Sequence, residues 1–130
     1  MKEIFLFNLS LIITLILTRT SAHLFHDYKN YGTKKEKSKT ITGWLRIKLK
    51  KDIHHFHLGL LIFVLILPLI FFFGVSKIKI IFLGIGLSLI IDQITPILDN
   101  KKNYFKKEQI FTSIVGHLIV VALSFFIFGN

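Results

Sequence analysis

The chain contains no cysteine. Disulfides, thiolate metal ligands and thiol nucleophiles are therefore excluded together, and any metal site would have to use nitrogen and oxygen donors. Proline is scarce, with Pro68 and Pro96 the only two in 130 residues, and there is a single tryptophan, Trp44. Acidic residues are few as well: 7 Asp and Glu stand against 17 Lys and Arg. Several motifs are missing too. There is no P-loop, no dinucleotide glycine fingerprint, no His-Glu-x-x-His, no serine-hydrolase elbow and no Asp-rich phosphatidyl-transfer signature.

What the chain has is apolar length. Hydrophobic residues make up 52% of it, including 14 Phe, more than one small domain can hide from water. They fall in four runs, at about residues 4–25, 53–75, 78–98 and 109–128, each about 20 to 23 residues long. At about 1.5 Å of rise per residue, each run is long enough for a helix across a ~30 Å hydrocarbon layer. Backbone groups in lipid must pair within their own segment, so helix is the expected state. Pro68 and Pro96 are expected to kink or end helices locally without abolishing the spans. The expected fold is all-α: four transmembrane helices in an antiparallel up-down bundle, forming one integral membrane domain over residues 1–130.

The basic residues set the expected topology. The connection 26–52 carries nine Lys and Arg (Lys29, Lys34, Lys35, Lys37, Lys39, Arg46, Lys48, Lys50, Lys51), the second connection two (Lys77, Lys79), the third four (Lys101, Lys102, Lys106, Lys107) and the C-terminal end none. That alternation places connection 26–52 in the cytoplasm and both termini outside an inner, plasma membrane. Because the excess charge is confined to connections, its expected partner is the anionic lipid headgroup and not nucleic acid. Within 26–52, Ile41, Trp44, Leu45 and Leu49 recur at near-helical spacing among basic residues, a pattern suited to the interfacial layer. Lys2, an apolar stretch and Thr20-Ser21-Ala22 also fit a cleavable signal. Retention is the expectation, since cleavage would leave the most basic segment outside.

This topology collects the ionisable residues at the cytoplasmic ends of the spans. Arg19, His23, His26 and Asp27 share one face at the end of the first span. His54, His55 and His57 open the second. Gly84, Ser88, Asp92, Thr95 and Asp99, spaced 4, 4, 3 and 4 apart, form a stripe on the third. Gln109, Ser113, Gly116 and His117 line the start of the fourth. Arg19 at a helix end reads first as a snorkelling anchor, and Gly84 with Ser88 as a close packing seam. Asp92, about six residues inside its span, is the strongest functional candidate, because a carboxylate at that depth costs roughly 2.5–3.5 kcal/mol unless partnered.

Asp92 is expected to face the bundle and approach His54 or His57. Asp92 and His57 are the candidate catalytic pair. His23, His26, Asp27, His54, His57, Asp92 and His117 are the candidate ligands for a divalent metal, zinc or iron. A metal-dependent hydrolase or lipid-modifying enzyme, a proton- or ion-coupled transport component using Asp92 and His117, and a non-catalytic assembly subunit are the three functions this set allows. Four short helices leave little interior, which favours a homo-oligomer.

The stretch His54-His55-Phe56-His57-Leu58-Gly59, with Phe82-Leu83-Gly84-Ile85-Gly86-Leu87-Ser88-Leu89-Ile90-Ile91-Asp92-Gln93 after an apolar run, resembles a class of small archaeal and bacterial multi-pass membrane proteins. In that class a histidine pair and a glycine open one span, and a glycine-rich span closes on Asp-Glu. The resemblance covers about 40 residues. It implies that His54 to His57 and Asp92 belong together, and it carries no activity. Gln93 stands where that pattern has Glu, which weakens any mechanism needing two carboxylates.

Overall fold

The computed structural model describes residues 2–25, 55–98 and 107–128. These form four helices with no strand among the described residues: α1 Lys2–Phe25, α2 His55–Phe73, α3 Lys77–Leu98 and α4 Lys107–Phe128. Three of them, α1, α2 and α4, are long and apolar enough to cross a membrane. The other, α3, carries Lys77, Lys79 and Asp92, and it is the helix against which the other three pack. The connection 26–52, with its interfacial segment around Trp44, lies outside the described residues.

Helix ends follow local chemistry. α2 runs through Pro68, whose missing N–H is tolerated in a span with apolar surroundings. It stops at Phe73, inside the expected run 53–75, because Gly74 adopts a left-handed conformation with φ 70°. A residue with a Cβ resists that conformation by roughly 1–2 kcal/mol. The carbonyls left open at this end are met by Lys79, whose Nζ donates to Gly74 O at 2.6 Å, Leu69 O at 3.0 Å and Phe73 O at 3.2 Å. A cation at a helix C-terminus also complements the dipole. Ser10, Thr14 and Thr18 return their hydroxyls to carbonyls of α1 itself, at Phe7, Ser10 and Thr14. That leaves no unmet hydroxyl on those residues in an apolar setting.

Close approach depends on glycine at two crossings. At the α2–α3 crossing, a Cβ on Gly59 would stand 2.7 Å from the Gly86 carbonyl oxygen, 2.8 Å from Leu89 Cβ and 3.0 Å from the Ile90 nitrogen. Where α1 meets α3, a Cβ on Gly84 would collide with Ser10 Oγ and stand 2.7 Å from the Phe7 carbonyl. Backbone atoms cannot step aside, so the helices themselves would have to part. Gly59→Ala is expected to destabilise the bundle by about 1–3 kcal/mol, the usual cost of overpacking. Unfolding in mixed micelles measures this.

The burial pattern is inverted relative to a water-soluble domain. Among the described residues the buried apolar side chains are Leu11 and Leu89, whereas ten polar ones are buried: Asn8, Ser10, Thr14, Ser88, Asp92, Gln93, Gln109, Ser113, His117 and Ser124. Large apolar side chains are exposed on every helix, among them Phe5, Leu65, Phe82 and Phe126. The polar groups come chiefly from α1, α3 and α4. α2 packs on α3 from outside that trio and has a single buried residue, Gly59.

Candidate functional site: a polar column inside the bundle

The deepest charge is paired. Asp92 is 1% exposed, and its Oδ1 accepts hydrogen bonds from Arg19 Nε at 2.7 Å and Ser113 Oγ at 2.8 Å. Arg19 Nη2 adds an ion-pair contact to the same oxygen at 2.6 Å. Arg19 is therefore not the snorkelling anchor its position suggested. It lies nearly five turns of helix along α1 from Lys2, level with Asp92, and turns inward. A carboxylate that would be costly alone in lipid is neutralised by a guanidinium from another helix, and the pair joins α1, α3 and α4.

One turn further along α4 lies His117, 3% exposed. Its Nδ1 stands 2.7 Å from the Ser113 carbonyl oxygen, and its Nε2 stands 2.9 Å from Ser88 Oγ. A carbonyl only accepts, so Nδ1 carries the proton. In the neutral ring Nε2 is then the acceptor and the Ser88 hydroxyl donates to it. Ser113 thus connects both groups, giving its hydroxyl to Asp92 and its carbonyl to His117. A serine held on an imidazole that is itself oriented by a third group has the outline of an activated nucleophile. Ser88, however, is fully buried at 0% exposure on an uninterrupted helix, so no reacting carbonyl reaches its Oγ in this packing.

A second polar pair lies toward the other end, where Ser124 Oγ donates to Asn8 Oδ1 at 2.9 Å. Asn8 and Arg19 are eleven residues apart on α1, as are Ser124 and Ser113 on α4. At helical rise both intervals are about 16 Å, so the two cross-links are consistent in level. Between them lies Leu11, completely buried. The interior is a column: Gln109, then Arg19–Asp92–Ser113, then Ser88–His117, an apolar layer at Leu11, and finally Asn8–Ser124.

Of the residues expected at a metal site, Asp92 and His117 enter this column. His57 sits at the start of α2, exposed, with its ring edge-on to Phe56 at 5.9 Å between centroids. Because α2 lies on the outer side of α3, it is the helix least placed to reach into the trio. The His23 side chain and all of His26, Asp27 and His54 lie outside what is described. Among the described residues no three His, Asp or Glu side chains gather to hold a metal ion. Sequence reading missed Arg19 as the partner of Asp92 and passed over Asn8, Ser10 and Thr14 as scattered hydroxyl and amide groups. The i, i+3, i+6 spacing of Asn8, Leu11 and Thr14 on α1 was the available signal.

Ser88→Ala and His117→Leu, alone and together, test the cross-link between α3 and α4. A double-mutant cycle should give a coupling of about 0.6 kcal/mol, below a ceiling of roughly 1.7, as for side-chain hydrogen bonds between membrane helices.

Comparison with protein-family models, with curated proteins and with solved structures gives no match, so the reading of this site rests on its own geometry.

Proposed function

We propose that this chain is a four-span integral membrane protein of the plasma membrane whose polar column serves proton- or ion-coupled transport. The helices alternate in direction, both termini lie outside, and the Lys-rich connections lie in the cytoplasm. The inverted burial supports immersion in lipid. The level pairings Asn8–Ser124 and Arg19–Asp92–Ser113 support the antiparallel order of α1 and α4. Retention of the first span is part of this reading, and the Arg19–Asp92 pair supports it, since cleavage after Ala22 would remove Arg19.

One observation carries the transport reading. Two protonatable side chains, Asp92 and His117, are buried one helical turn apart in an interior that is polar over most of its length. Intramembrane groups of this kind are the usual carriers of protons and the usual places where ions pause. Protonation of Asp92 would remove the charge that holds Arg19 and loosen α1 from α3 and α4, which couples proton occupancy to helix packing. A proton passing on to His117 cannot travel through the Ser113 carbonyl, which only accepts. It must use the Ser113 hydroxyl turned away from Asp92, or a water.

The test is proton flux in liposomes holding the purified chain and an internal pH dye, driven by a potassium diffusion potential. Flux above that of empty liposomes, lost in Asp92→Asn, is the expected outcome. Flux equal to empty liposomes for the unaltered chain rejects the reading. Topology is tested separately by reporter fusions after Asn130 and within residues 34–39, with an external signal expected from the first and a cytoplasmic one from the second.

A further inference from the structure

We infer that the Gln109 carboxamide is a water-binding site at the Lys-rich end of the column. Gln109 is 2% exposed, and neither its Oε1 nor its Nε2 has a hydrogen-bond partner among the described residues. A primary amide buried in that state forfeits several kcal/mol in hydrocarbon, so native proteins answer such groups with a side chain, an ion or an ordered water. Gln109, Ser113 and His117 are spaced four apart on α4, which puts Gln109 on the same inward face, one turn from the hydroxyl that binds Asp92.

The chemistry of the neighbourhood selects the ligand. An open amide offers two donors and one acceptor. An anion would meet the Asp92 carboxylate one turn away, and a cation would meet the Arg19 guanidinium. A neutral molecule that both donates and accepts fits the amide without disturbing that ion pair, and water is the smallest of these. Held there, water lies on the side of Asp92 away from His117 and offers a mobile hydrogen-bonding group between the Lys-rich end and the carboxylate. Its part in proton movement rests on the transport reading; the hydration does not.

The chain has two glutamines, Gln93 and Gln109, so ¹⁵N-glutamine labelling of the full chain in lipid nanodiscs gives two side-chain amide signals. Gln109→Met identifies one of them by its loss, and Gln93→Asn assigns the pair independently if the first variant does not fold. The expected result is magnetisation transfer from water to the Gln109 amide protons, together with no rise in melting temperature for Gln109→Met. Amide protons that exchange magnetisation only with protein or acyl chains overturn the inference. So does a higher melting temperature for Gln109→Met, the sign that an unmet amide had been removed. Proton flux on the same preparation separates the two readings: water at Gln109 without flux rejects transport and leaves the hydration standing.

Discussion

Asp92→Asn is expected to insert in the membrane normally, lose proton flux completely and lower stability by about 3–5 kcal/mol, the cost of leaving a buried charge without its partner. The flux loss follows because an amide does not take up a proton at neutral pH. The stability loss follows because Arg19, 16% exposed at its side chain, holds its charge against Asp92 Oδ1 at 2.6 and 2.7 Å. Adding Arg19→Gln should separate the two effects. With both charges gone, the two amides can pair, and most of the lost stability should return while flux stays at the empty-liposome level. Insertion is read by protease protection, stability by unfolding in mixed micelles and flux by the internal dye. Recovery of flux in the double variant would show that Asp92 is a packing residue and that protons travel elsewhere.

The number of helices, their approximate bounds and the inward placing of Gly84, Ser88 and Asp92 on α3 were legible from four long apolar runs and a 4, 4 spacing, while the Thr95 side chain and Asp99 lie outside what is described. Asp92 stood out by depth alone, since a carboxylate six residues inside an apolar run has to be explained. Its counter-charge did not. Arg19 lies near the end of its apolar run, where a long cation reaches water as easily as it reaches a partner. Only the register of α1 against α3, set by Gly84 fitting beneath Ser10 and Phe7, decides between those two. The expected approach of Asp92 to His54 or His57 falls partly outside the described residues, since His54 is not among them. α2 does adjoin α3, through Gly59 and Gly86, yet on the side away from α1 and α4. Helix adjacency could be read from a three-residue turn; the side on which the helix docks could not.

Leu11 is expected to be the barrier of the column. It is fully buried on α1, three residues from Asn8 and three from Thr14 on the same face. Toward one end lies the Asn8–Ser124 pair, whose Asn8 Nδ2 is buried without a partner among the described residues. Toward the other lie Ser88 and His117. Leu11 is therefore the apolar side chain between the two polar stretches, and the buried hydroxyls nearest to it, Ser10 and Thr14, are already given to carbonyls of α1 itself. Leu11→Ala removes the isobutyl group and leaves a gap. Leu11→Asn fills the same space with a donor and an acceptor. Passive proton conductance should rise in both, most in Leu11→Asn, by on the order of tenfold, which corresponds to about 1.4 kcal/mol off the barrier. Truncating a buried leucine also costs roughly 2–5 kcal/mol of stability in well-packed cores, and a loosened bundle could leak for that reason alone. The combination with Asp92→Asn distinguishes the causes. Conductance through the column falls back to background when Asp92 is lost, whereas leakage around a loosened bundle persists or grows. A Leu11→Asn chain that conducts no more than the unaltered protein would place the barrier at another level of the column.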